Sequence, residues 1–147
     1  MTVVRNCNIP EELHYLVEKH VWARVDGDIV TVGMTDVAQH LAHTFISVTA
    51  KAPGKQVKKA KSVATVESSK WVGPVPSPVD GEVTEVNAAV VADPGIINRD
   101  PYGEGWVARV RADDWARDAA DLVTGSEGVD AYERFLAAEG IDCATAE

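Results

Sequence analysis

Apolar and polar residues alternate through much of the chain, most sharply over residues 63–86, VATVESSKWVGPVPSPVDGEVTEV. One apolar-rich run rises to Glu67-Ser68-Ser69-Lys70, and a second, through Pro78, Gly81, Val83 and Val86, comes back down. Read as strands, the two runs form a hairpin with Lys70 at or near its tip. Upstream, residues 20–25 alternate, Asp26-Gly27-Asp28 is a turn by composition, and residues 29–33 return, which predicts another hairpin. Residues 13–16 predict a brief strand or helical turn after a lead-in at Ile9-Pro10-Glu11-Glu12. Thr35 or Asp36 can cap a helix through Val37, Ala38 and Leu41, after which residues 44–48 turn strand-like.

Residues 56–61 read as a basic strand edge with Val57 inward. Lys55, Lys58, Lys59 and Lys61 fit edge protection, because lysines discourage pairing between sheets of different molecules. Beyond the central hairpin, residues 87–92 leave the sheet, Asp93-Pro94-Gly95 suggests a short helical turn, and residues 107–110 form a strand. The C-terminal part is helical. Asp113 or Asp114 can start one short helix and Ser126 can cap another. On the second, Val129, Tyr132, Phe135 and Leu136 recur at three- and four-residue spacing, a stripe that should pack on the β core until Gly140 stops the helix. The tail beyond Ile141 is expected to be loose. The chain therefore reads as mainly β with flanking helices. It is expected to be a single domain over residues 1–147, with its β core at roughly 13–111 and its C-terminal helices at roughly 113–140.

Charge narrows the partners. A formal net charge of -9 argues against nucleic acid, since phosphate binding needs a surplus of lysine and arginine. No apolar run reaches membrane-spanning length, and MTVVRNCNIPEEL has no signal-peptide apolar block, so a cytoplasmic location without membrane contact is expected. In that compartment Cys7 and Cys143 are expected to be free thiols, with a bridge between the chain ends as the alternative. No CxxC offers a zinc knuckle or a redox motif.

Candidate chemistry is sparse. His40 and His43 sit three apart near a predicted helix end, but no third ligand joins them, so no metal is expected. Ser68 and Ser69 lack a placed histidine and carboxylate for a nucleophilic triad. No catalytic constellation remains, and the chain is not expected to be an enzyme. Lys70 is different, because a lysine amine on a protruding turn can be acylated to hold a prosthetic group on a long tether. On local sequence alone, an inert surface lysine is as good a reading.

The wider sequence changes that balance. The residues around Lys70 resemble the lipoylation site of the H protein of the glycine cleavage system. That family places Glu-Ser-x-Lys at the hairpin, then a proline and a glycine at the offsets that Pro78 and Gly81 occupy after Glu67-Ser68-Ser69-Lys70. His20-Val21-Trp22 stands where the family has His-Glu-Trp, Gly33-Met34-Thr35-Asp36 where it has Gly-Ile-Thr, and Ala38-Gln39 where it has its Ala-Gln helix. The run from Asn98 through Asp100-Pro101-Tyr102-Gly103 to Gly105-Trp106 is the most specific match, with Tyr102 and Trp106 as structural anchors of a tight turn. The resemblance covers roughly residues 15–111. Biotinyl domains flank their lysine with methionines, whereas Met1 and Met34 are both remote from Lys70.

The resemblance implies a lipoyl-type barrel-sandwich hybrid with lipoate in an amide on Lys70. It implies that a lipoate-attaching enzyme reads Glu67 by its charge and Gly81 by the turn it shapes, and that dihydrolipoamide dehydrogenase is among the partners. Some residues depart from the common pattern: Val21 replaces the glutamate, Leu41-Ala42-His43 replaces Leu-Gly-Asp, and Trp71 and Pro74 follow the lysine. With the Asn8-Ile9-Pro10-Glu11 lead-in and the extended tail, these departures resemble the lipoate-binding proteins of a heterodisulfide-reductase-like sulfur-oxidation system. That subgroup implies transfer of a sulfur substituent and electrons between the enzymes of the pathway. One alternative is an H protein carrying an aminomethyl group from glycine decarboxylase to the aminomethyltransferase. Another is an adaptor without lipoate, with Trp71 as an interface anchor.

Overall fold

A computed structural model describes residues 2–144. The chain opens with a hairpin, β1 (Val3–Val4) and β2 (Cys7–Asn8), then runs through β3 (His14–Leu16), a 3-10 turn (Val17–Lys19), β4 (Val21–Asp26) and β5 (Ile29–Met34). Helix α1 (Asp36–Ala42) leads to β6 (Phe45–Ala50), β7 (Gln56–Val57), β8 (Ser62–Ser68), β9 (Val72–Pro76) and β10 (Gly81–Val86). Two short helices follow, α2 (Ala88–Ala92) and α3 (Ile96–Arg99), then β11 (Ala108–Ala112), α4 (Trp115–Ala119), β12 (Val123–Thr124) and α5 (Gly125–Glu139).

The strands pair antiparallel in two main sheets. One has the order β12-β3-β4-β5-β11-β10-β7, and the other β6-β8-β9. Their apolar faces share one core that includes Val30, Val32, Val66, Val75, Val83 and Val110. Alternation explains the second sheet. Ala64, Val66 and Ser68 of β8 point inward while Thr65 and Glu67 face out. A register shift between Ser62 and Ala64 lets Val63 turn inward as well. The architecture is a barrel-sandwich hybrid with flanking helices.

The central hairpin departs from the expectation of one continuous return. Its descending run is split between β9, paired with β8, and β10, which belongs to the seven-stranded sheet. Prolines cause the break, since Pro74, Pro76 and Pro78 lack the N–H groups that a continuous ladder requires. Ser77 holds the crossing, with its Oγ donating to the Val79 carbonyl at 2.7 Å. β7 is shorter than expected, but it lies at the edge of its sheet and Lys55 and Lys58 flank it. Two-residue β12 is too short to read from sequence and exists through its pairing with β3. Thr124, rather than Ser126, is the N-cap of α5, and Gly140 ends that helix in the left-handed conformation.

A second apolar cluster lies between α5, α1 and the chain ends, where Trp22, Tyr15, Tyr132 and Leu136 are buried. Here the expected free thiols are corrected. Cys7 and Cys143 form a disulfide, their Cα atoms 5.1 Å apart across 136 positions of sequence. Separation along the chain hides this proximity, which arises because β1 and β2 pack beside the turn that follows α5. The Cys143 N–H donates to the Arg5 carbonyl at 3.0 Å, and Arg5 Nε donates to the Ile141 carbonyl at 2.7 Å. Residues 142–144 are thus tied down rather than loose, and residues 145–147 lie outside the described residues. In the chain-entropy account, a bridge closing so long a loop contributes about 5 kcal/mol.

Candidate functional site

β8 and β9 meet at Ser69-Lys70-Trp71, with Lys70 exposed at the tip. The turn is stiff because Ser68 closes it. The Ser68 N–H donates to the Trp71 carbonyl at 2.7 Å. Its Oγ accepts from the Trp71 N–H at 3.0 Å and from the Lys70 N–H at 3.3 Å. The Ser69 N–H donates to the Thr44 carbonyl at 2.9 Å, fastening the tip to the segment entering β6. The backbone is fixed while the lysine side chain projects. Ser68 is therefore a turn-former, and nothing around it resembles a triad.

The predicted recognition residues lie apart. Glu67 is exposed on the outer face of β8, between Ser47 of β6 and Val72 of β9, close to the lysine in sequence and space. Gly81 begins β10 in the other sheet, opposite Ala112 and Val57. A Cβ at Gly81 would overlap the Arg111 carbonyl oxygen, so close packing on β11 demands a glycine there.

Lys70 borders a cavity of about 510 Å³, within the range of small-molecule sites. Trp71, Pro74 and Pro76 form one side, and Ala38, Leu41 and Ala42 of α1 the other. The Trp71 ring lies against Gly73, where a Cβ would overlap it. Glu18, Lys19 and His20 supply the polar end. Sequence reading missed this wall, although the His20-Val21-Trp22 stretch and the spacing of Ala38, Leu41 and Ala42 were its available signals. His20 Nδ1 lies 3.2 Å from the Tyr132 hydroxyl, and the His20 ring sits beside those of Tyr132 and Phe135. Burial pushes the His20 pKa down to about 4, so near neutral pH it is an uncharged imidazole.

His40 and His43 line a different, open cleft of about 430 Å³ together with Gln39, Thr44, Asn98 and Arg99. Asn98 is structural, donating to the His43 carbonyl at 2.6 Å and accepting from the Phe45 N–H at 3.0 Å. Among the described residues no group of three or more histidine, cysteine or acidic side chains is placed to hold a metal. No helix of the described residues is long and apolar enough to cross a membrane.

Of the anchors foreseen in the 98–106 turn, Tyr102 is buried and Trp106 packs half-buried on the same cluster with Arg109 over its ring. Trp22 Nε1 donates to the carbonyls of Pro101 and Met34, each at 3.0 Å. The Tyr102 hydroxyl donates to the Asn8 carbonyl and accepts the Asp36 N–H at 2.9 Å.

Comparisons with known proteins agree with this arrangement. The family model described as "Glycine cleavage H-protein" matches residues 13–135. Glycine cleavage system H protein 2 of Aquifex aeolicus is 46% identical over 140 residues, covering 95% of this chain and 87% of its own. A probable glycine cleavage system H protein 2 of Sulfolobus acidocaldarius is 40% identical over 146 residues, covering 97% of each. Among solved structures, a glycine cleavage system H protein of Mycobacterium marinum superposes with a TM-score of 0.74 at 31% identity. That match covers 90% of this chain and all of the other. An exposed lysine on a stiff turn, with an apolar cavity at its side, suits a long acyl tether. The chain belongs to the glycine cleavage H-protein family, whose members are not enzymes but carriers of lipoate bound covalently to a lysine.

Proposed function

We propose that Lys70 is the lipoylated residue. Through it, the chain conveys a sulfur substituent and electrons between cytoplasmic enzymes of a heterodisulfide-reductase-like sulfur-oxidation system. One observation carries the reading: Lys70 is exposed on a turn fixed by Ser68 and opens beside an apolar cavity. Lipoate on that amine supplies a dithiolane that can accept a group or an electron pair. The chain's own residues do the positioning. Ser68 and Thr44 hold the attachment point still. Trp71 and the α1 wall give the cavity its apolar lining, and the neutral His20 adds no cation beside Lys19 at its polar end.

Glu67 offers the lipoate-attaching enzyme a carboxylate, and Gly81, by seating β10 on β11, sets the base of the hairpin that enzyme must recognise. Dihydrolipoamide dehydrogenase suits the redox step between transfers, and residues 1–147 act as one carrier domain. Trp71 and Pro74 after the lysine, with Val21 and Leu41-Ala42-His43, are the departures from the common pattern that support the sulfur-oxidation reading over the general one. A second reading is transfer of the aminomethyl group among the glycine cleavage enzymes, and the names of the relatives favour it.

Intact mass of the protein from its own host, with fragmentation across Lys70, tests these readings. A lipoyl increment on Lys70 is expected and is absent in Lys70→Arg. A further sulfur adduct supports the sulfur pathway, and an aminomethyl adduct supports glycine cleavage. An unmodified Lys70 in cells that lipoylate other proteins rejects both and leaves an adaptor.

A further inference from the structure

The cysteine pair is not used by the carrier chemistry, yet it is connected to the wall of the Lys70 cavity. Cys7 is fully buried and Cys143 half-buried. The hairpin holding Cys7 has two-residue strands joined by Arg5 and Asn6, both at positive φ. Two strands of that length have no stability of their own, so their seating depends on what ties them down. At one end stand the disulfide, the Asn6 Nδ2 bond to Asp142 at 2.9 Å and the contacts of Arg5. At the other, the Asn8 N–H donates to Asp36 Oδ2 at 2.8 Å, in the first turn of α1. Tyr102 bridges the Asn8 carbonyl and the Asp36 N–H. The residues of α1 that line the cavity, Ala38, Leu41 and Ala42, follow within two turns.

We propose that Cys7 and Cys143 form a redox-active pair whose reduction unseats the β1–β2 hairpin, loosens α1 and opens the Lys70 cavity. The functional meaning rests on the carrier reading, but the coupling of the pair to α1 does not. The reductant is a dithiol, of a small molecule or of a protein. Its thiolate attacks Cys143 Sγ, the more accessible sulfur, forming a mixed disulfide while Cys7 leaves as a thiolate and is protonated. The second reductant thiol then closes onto the first, expelling Cys143 as a thiolate that also takes a proton. Two electrons and two protons enter the chain, and the dithiol becomes a disulfide. In the cytoplasm proposed above, such a pair meets a thiol pool able to reduce it.

Hydrogen exchange read by mass spectrometry tests this on the lipoylated chain, oxidised and after dithiothreitol. Reduction is expected to speed exchange at residues 36–42 at least tenfold and at 2–9 more, while residues 62–76 stay unchanged. A Cys7→Ala/Cys143→Ala chain without dithiothreitol should reproduce the pattern, which separates it from reduction of the lipoyl group. Lys70→Arg should also reproduce it. If it does so although Lys70 proves unmodified in cells, the coupling stands and the carrier reading alone fails. Change confined to residues 2–9 and 140–144, a uniform rise across the chain, or a pair that dithiothreitol cannot reduce in the folded state would each overturn the proposal.

Discussion

Two tryptophans in this protein lie on glycines, and they lie there to opposite ends. Trp22 rests on Gly33 and is 0% exposed, with its indole N–H shared between two carbonyls. Trp71 rests on Gly73 beside the lysine turn and remains 41% exposed. One device, an aromatic plate on a strand position without a side chain, is used in the first place to close a core. In the second it presents an apolar surface next to a projecting amine. Around Trp22 the neighbours are Tyr15, Tyr132 and Leu136, all buried. Next to Trp71 in the chain, Val72 is largely exposed as well. Two large apolar side chains, Trp71 and Val72, are thus left in water at the lysine turn, whereas Trp22 is fully enclosed.

The comparison is broken most sharply by removing the plates. Trp22→Ala should cost about 4 kcal/mol through lost burial and a cavity that the aromatic cluster cannot fill. Gly33→Ala should cost about 3 kcal/mol, because its Cβ would overlap a ring with nowhere to move. Urea denaturation of each variant measures both. If either loses less than about 1 kcal/mol, the corner is not the stability centre that its burial implies.

His20 sharpens the comparison because it touches both regions, lining the Lys70 cavity and contacting Tyr132 and Phe135. Its folded pKa, about 4, lies below the unfolded value of 6.5 because burial disfavours the cation. Between those values the unfolded chain binds more protons, so stability must fall as pH drops from 6.5 towards 4 and level off below. The loss attributable to this residue should be about 3 kcal/mol. It should be absent from His20→Gln, so the stability difference between wild type and the variant should change by that amount as pH falls from 6.5 towards 4. A parallel pH dependence in the two proteins would remove His20 from the account.

How much of this was legible in the sequence follows the same division. The longer strands, the helix-capping Thr35 and the α5 stripe were readable because each is written locally, whereas two-residue β1, β2 and β12 were not. The lysine turn was readable because Glu67-Ser68-Ser69-Lys70 is a contiguous motif whose serine bonds within three residues. The cavity wall was not, since Ala38 and Leu41 meet Trp71 only after α1 has crossed from one sheet to the other. The disulfide escaped for the same reason, since nothing local to Cys7 or Cys143 records that 136 intervening positions return the chain to its start. The split return of the central hairpin was hidden by residues that suit a strand on either side of the crossing, although its three prolines were in view. The glycines under the tryptophans were visible as residues but not as sites, because Gly33 meets Trp22 across the β4–β5 pair.

The smallest effect expected is at the exposed plate, and it discriminates best. Gly73→Ala would overlap a ring that is free to swing into solvent, so it should change stability by less than about 1 kcal/mol. It should nevertheless displace Trp71 from the side of the Lys70 cavity. The readout is therefore the indole itself: a shift of the Trp71 side-chain NMR signal with unchanged signals from Trp22 and Trp106. On the carrier reading, lipoylation of wild-type protein should also shift the Trp71 signal, and Gly73→Ala should reduce that response. Were Gly73→Ala to cost as much stability as Gly33→Ala, the exposed tryptophan would be a packing residue like its buried counterpart. The distinction between the two regions would then be one of exposure alone.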